Sequence, residues 1–135
     1  MTVQLTAEQV LDEHSQASVL SIDFFDTLIT RSLAQPTHVF ALMEQQLVAS
    51  HGDFWRGFAI ARVEAEQRAR QNAANENEHR DVTFDEIGLY LARQLALNIS
   101  DREMVMVLER QTELQLVQVV PFGVAITEAA RSRGM

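Results

Sequence analysis

The groups in this chain best suited to chemistry lie close together in one short stretch. In Val19-Leu20-Ser21-Ile22-Asp23-Phe24-Phe25-Asp26-Thr27-Leu28-Ile29-Thr30-Arg31, an apolar run stops abruptly at two carboxylates, hydroxyls and an arginine. These are groups that bind and attack polar substrates. The run before them is short, β-branched at Val19 and Ile22, and almost continuously apolar. That pattern predicts a strand over residues 19–24, covered on both faces as in a parallel sheet. In open α/β sheets ligands bind just beyond the carboxyl ends of the strands, which is where Asp23 and its neighbours would stand. An aspartate that simply caps a loop at a strand end is the plainer alternative.

The sequence Asp23-Phe24-Phe25-Asp26-Thr27-Leu28 behind an apolar strand resembles the first motif of the haloacid dehalogenase-like (HAD) superfamily. It is most similar to predicted HAD hydrolases encoded alongside glycosyltransferases, in which an arginine follows shortly after the motif. The resemblance implies an α/β, Rossmann-like core, with Asp23 as nucleophile and Thr27 as hydrogen-bond donor to the transferred group. It also implies Arg31 as a substrate-binding residue. A magnesium ion would take oxygen ligands from the Asp23 carboxylate and the Phe25 backbone carbonyl. The pattern departs at Phe25, which stands where the family's acid/base aspartate belongs, and a phenyl ring can neither protonate a leaving group nor activate water. Asp26 sits one position past that place and is not assigned the role. Dehalogenase-like chemistry, which needs no metal, would be less disturbed by the phenylalanine than phosphate-ester hydrolysis.

Composition narrows the partners. The 135 residues suffice for one domain with a core, and 47% apolar with 22% charged residues is a globular composition that argues against wholesale disorder. A formal net charge of -8 and a pI near 4.9 argue against a nucleic-acid partner, since binding phosphate backbones needs a basic surface. Cysteine is absent, which removes disulfides, thiolate catalysis and zinc–thiolate sites. No apolar stretch is long enough to span a bilayer, and Met1-Thr2-Val3-Gln4 has no features of a signal peptide, so a cytoplasmic location without a membrane partner is expected. All eleven basic residues are arginines. His14, His38, His51 and His79 show no metal-ligand spacing, and the glycines form no phosphate cradle.

The elements that must position the motif are mostly helical. Thr6 with Gln9, Thr83 with Glu86, and Ser100 with Glu103 read as three capping boxes, each flanked by residues for a hydrophobic staple. The first helix is expected from Ala7 to about Gln16. Pro36 suits the first position of a second helix that stops at His51-Gly52, and Asp53 can cap a third. That third helix would present Phe54, Phe58, Ala61, Ala65 and Ala69 on its apolar face. Its other face would carry Glu64–Arg68 and Glu66–Arg70 pairs, each worth only about 0.2–0.5 kcal/mol and so read as a solvated surface. Residues 72–80 form a polar break. A long helix follows Ser100, Pro121 ends it or begins the next segment, and a last helix closes at Gly134.

In the HAD layout a helical cap is inserted after the motif strand. The resemblance therefore implies core pieces at 1–31 and 121–135, a helical cap at 32–120, and the remaining core in a longer protein of which this is the N-terminal part. Such a part would be nearly inert alone, bind no metal tightly, and tend to self-associate through its incomplete sheet; the longer protein would act on a small molecule. The rival reading is a non-catalytic helical interaction module that keeps the motif as scaffold. It draws on the phenylalanine at the acid position, the absence of lysine and the preponderance of helices.

Overall fold

Two of the helices begin with reciprocal polar caps. The computed structural model describes residues 5–77 and 80–135. In it the Thr6 hydroxyl accepts from the Gln9 amide while the Gln9 side chain accepts from the Thr6 amide, starting α1 (Ala7–Glu13). Thr83 and Glu86 do the same for α4 (Phe84–Leu95). The expected third box is replaced. Asn98 Oδ1 accepts from the Asp101 amide at 2.8 Å, so α5 (Ile99–Leu116) starts earlier and Ser100 falls inside its first turn. Asparagine caps at least as well as serine, and its position one residue before Ile99 suits the start.

Pro36 also lies outside its expected helix. It sits in the turn before α2 (His38–His51), which ends at Gly52 with φ 92°. Asp53 does not cap the next helix. It opens a single 3₁₀ turn, Asp53–Trp55, and pairs with Arg56. The cap on α3 (Phe58–Glu76) comes from a different helix: the Glu44 carboxylate of α2 accepts from the amides of Gly57 at 3.0 Å and Ala59 at 2.9 Å. Gly57 makes this turn at φ 86°, a conformation glycine adopts without steric cost. Together with β1 (Ile29–Arg31), β2 (Val117–Val119) and α6 (Pro121–Ser132), these elements make a mostly helical chain with a two-stranded antiparallel sheet. No helix among the described residues is long and apolar enough to cross a membrane.

The chain divides into two compact units, Met1–Ser32 with Leu116–Met135, and Leu33–Gln115. In the second, α3 presents Ala61, Ala65, Ala69 and Ala73 at spacings of four, all buried. Small side chains on one stripe let neighbouring helices approach closely; α3 packs against both α2 and α4, and Phe58, Met43, Leu47 and Leu91 are among the largest fully buried side chains. Phe54, expected on the same apolar face, is instead 62% exposed because it belongs to the preceding 3₁₀ turn.

The first unit corrects the main strand expectation. Residues 19–24 form no strand. Leu20 and Ile22 pack against a cluster of Leu11 from α1 with Ile126 and Ala130 from α6, whereas Val19, Ser21 and Asp23 are exposed. One face is covered, not two. A strand exists only by pairing, and no described segment lies alongside this one to complete a ladder. The strand pairing forms just downstream: Ile29, Thr30 and Arg31 oppose Val119, Gln118 and Val117 in an antiparallel register. The helix α1 is also shorter than expected, ending at Glu13 with a His14 cap.

Candidate functional site

The motif residues are held in a tight loop built by backbone hydrogen bonds. The Phe24 carbonyl accepts from both Leu28 N–H at 3.0 Å and Ile29 N–H at 3.1 Å, and Asp26 N–H donates to the Ile29 carbonyl at 2.6 Å. Asp26 takes φ 61°, a left-handed conformation that aspartate tolerates better than most residues. Its carboxylate accepts from the Thr30 hydroxyl at 3.2 Å, which ties one side of the loop to the other. The loop then runs directly into β1, so its geometry is fixed at the downstream end by the β1–β2 pairing. Ser32 continues the attachment, its amide donating to the Leu116 carbonyl at 2.9 Å and its hydroxyl to the same oxygen at 3.1 Å.

Asp23 stands exposed where the apolar segment meets this loop, with Oδ1 accepting from the Phe24 amide at 2.8 Å. Thr27 is exposed at the far side of the turn. The Arg31 guanidinium lies over the Phe25 ring, 4.2 Å from its centroid, and Phe24 meets Phe25 edge to face at 5.3 Å. Cation–π contact of this kind holds an aromatic side chain in place with about 0.5–1 kcal/mol at an exposed site. Of the four sequence-derived site residues, Asp23, Phe25 and Thr27 are therefore carried by one loop of the first unit, and Arg31 stands at the end of the strand β1 that follows it. The Phe25 ring is clamped under the Arg31 cation.

Two features that sequence reading missed support the loop. Val120 N–H donates to the Leu28 carbonyl at 2.8 Å, which places the start of α6 against it. Gly123, in the first turn of α6, is buried and packs on the backbone of Thr27 and Leu28. A glycine two residues after Pro121 is visible in the sequence, but its neighbour in the fold is not.

Magnesium requires a near-octahedral oxygen set, usually one or two carboxylates completed by water and substrate oxygens. The loop offers the Asp23 carboxylate and the Phe25 carbonyl, and among the described residues no group of three His, Cys, Asp or Glu side chains gathers to hold a metal. Those two donors do not by themselves make a magnesium site. Of the histidines, His14, His38 and His51 are exposed, and His79 lies outside the described residues.

The second unit contains a different polar constellation, on α3 and α5. Arg62, 4% exposed, donates from Nε to Glu109 Oε2 at 2.9 Å, from Nη2 to Glu109 Oε1 at 2.7 Å and from Nη1 to Glu66 Oε2 at 3.0 Å. Its guanidinium also lies 4.5 Å from the centroid of the Phe40 ring. Arg70 extends the set to Glu66 and Asp81, both at 2.7 Å. Burial pushes the Glu66 carboxyl up, but hydrogen bonds from Arg70 and Arg62 outweigh it and hold the group below its ordinary value. The expected Glu64–Arg68 pair is replaced: Glu64 accepts from the Gln94 side chain at 2.6 Å. This face of α3 is thus partly an interior polar joint. Arg62 spends its donor edges on carboxylates of its own fold, which fits a structural role better than ligand binding.

A groove of about 700 Å³ in the same unit is lined by Leu47, His51, Glu103, Met104, Val107 and Leu108, with Gln46, Ala49, Ser50, Ser100 and Gln111. Its walls are largely apolar and include no nucleophile with a paired base. No protein-family model matches the chain, and no curated protein matches it.

Proposed function

We propose that the first unit carries the nucleophile loop of a HAD-like hydrolase acting on a phosphate ester or a related small molecule. The observation that supports this most is the exposure of Asp23 at the mouth of a hydrogen-bonded loop that also carries Thr27, behind an apolar segment packed on two helices. The organisation of the chain adds support, because residues on both sides of a separate helical unit come together around that loop.

In this reading an Asp23 carboxylate oxygen forms a bond to the electrophilic phosphorus or carbon while the bond to the leaving group breaks. Water then hydrolyses the resulting acyl adduct and restores the carboxylate. Thr27 donates to the group in transfer. Phe25, held under Arg31, cannot deliver a proton to the leaving oxygen, so substrates with good leaving groups are favoured. Transition-state charge is usually met by preorganised cations and dipoles, and Arg31, at the end of β1, is the cationic residue that follows this loop.

The test is hydrolysis of a panel of phosphate esters by the longest natural form of the protein, with Asp23→Asn alongside. Loss of turnover in the variant is the expected result; unchanged turnover removes the nucleophile assignment. The 135-residue chain alone is expected at background, and robust turnover by it that Asp23→Asn abolishes would show that the catalytic set is complete within it. The second reading, a helical interaction module, is favoured by one observation, the aromatic residue at the proton-transfer position.

A further inference from the structure

We infer that Gly123 is a positioning residue for the Asp23–Thr27 loop, holding it through a close approach that a side chain would block. The functional meaning of that loop rests on the reading above; the positioning itself rests on geometry. Gly123 lies on the face of α6 that also carries Ile126 and Ala130, the buried face of the first unit. A Cβ built at Gly123 falls on the Thr27 carbonyl oxygen, 2.9 Å from the Thr27 carbonyl carbon and 3.1 Å from Leu28 Cα. All three neighbours are backbone, so no rotamer change relieves the clash. Either α6 or the loop must move.

The loop has little freedom to yield alone. One residue from the clash, the Leu28 carbonyl is engaged by Val120 N–H at 2.8 Å, and Ile29 is paired with Val119. Upstream, the Phe24 carbonyl receives both Leu28 and Ile29 amides. A displacement at Thr27 is therefore transmitted to the Phe24–Phe25 peptide, one residue past Asp23. Helix propensity points the other way: alanine is a better helix former than glycine, so on grounds of secondary structure alone Gly123→Ala should stabilise α6. The two considerations predict opposite outcomes, which makes the position informative.

The experiment is solution NMR on the ¹⁵N- and ¹³C-labelled 135-residue chain, comparing wild type, Gly123→Ala and Ala125→Gly. Ala125 is exposed on the same helix, and its replacement weakens α6 without touching the loop. In Gly123→Ala the amide resonances of residues 23–29 are expected to shift well beyond those of Ala125→Gly. Amide exchange at Val120 should also quicken by roughly tenfold, the factor expected from loss of about one hydrogen bond of local stability. A folded Gly123→Ala with wild-type loop resonances and unchanged Val120 exchange overturns the inference, as does an Ala125→Gly that moves the loop equally. If Gly123→Ala does not fold, the wild type alone decides: nuclear Overhauser contacts from the Gly123 α-protons to Leu28 support the close approach, and their absence refutes it. Because none of these readouts uses turnover, an Asp23→Asn result that removes the catalytic reading leaves this one separately testable.

Discussion

Replacing Arg62 by methionine is expected to be among the most destabilising single substitutions in the second unit. The guanidinium is 4% exposed and donates three charge-assisted hydrogen bonds, two of them to Glu109, which is itself 7% exposed. Methionine restores much of the volume against Phe40 but leaves the Glu109 carboxylate buried without its cation. Glu66 is less affected, since Arg70 still donates to it at 2.7 Å. Removing one partner of a buried ion pair costs about 3–5 kcal/mol, a large part of the 5–15 kcal/mol that holds a typical domain folded. Replacing Glu109 by leucine at the same time removes both charges, and such exchanges are often close to neutral. The prediction is a strongly destabilised Arg62→Met and a substantially recovered Arg62→Met/Glu109→Leu. Urea unfolding near neutral pH measures both, with the single tryptophan as reporter: Trp55 lies in this unit and is 4% exposed. For a slope of about 2 kcal/mol per molar, the single variant's midpoint falls by roughly 1.5–2.5 M. An Arg62→Met within about 1 kcal/mol of wild type would refute the buried-charge argument. A double variant as unstable as the single one would assign the cost to packing.

Glu44→Ala removes an α3 cap supplied from α2 and should lower stability by about 1 kcal/mol, seen as a reduced urea midpoint; an unchanged midpoint would mean that the two amide contacts are replaced by water without loss. Acid should weaken the second unit through Glu44 and Glu66. Hydrogen bonds from the Ala59 and Gly57 amides hold the Glu44 carboxyl below its ordinary value of 4.5, and the arginine hydrogen bonds to Glu66 outweigh the upward push of burial. With folded values depressed, the unfolded chain binds more protons, so this stability is present above about 4.5 and is lost as pH falls through the folded values. Urea midpoints of wild type and Glu44→Ala should converge on acidification, and a constant gap down to acid unfolding would contradict the linkage.

The parts of this protein legible in its sequence are those decided within a few residues. Thr6 with Gln9 and Thr83 with Glu86 start helices because donor and acceptor lie three positions apart, and the Asp23–Arg31 stretch stands out because its polar groups are contiguous behind an apolar run. Even there, neighbouring candidates compete, as Asn98 displaces Ser100. What only the tertiary structure decides is pairing at a distance. The apolar run has strand-like composition, yet a strand needs a partner, and the pairing goes instead to Ile29–Arg31 with Val117–Val119. The charged face of α3 reads as solvated ion pairs, Glu64–Arg68 and Glu66–Arg70, until Glu109, 47 positions from Arg62, is placed against that helix. Gly123 reads as a weak helix residue until the Thr27 carbonyl occupies the space its side chain would need. Spacing along the chain carries local hydrogen-bond geometry, whereas the desolvation of a charge and the absence of a Cβ acquire their meaning from atoms that only folding brings near.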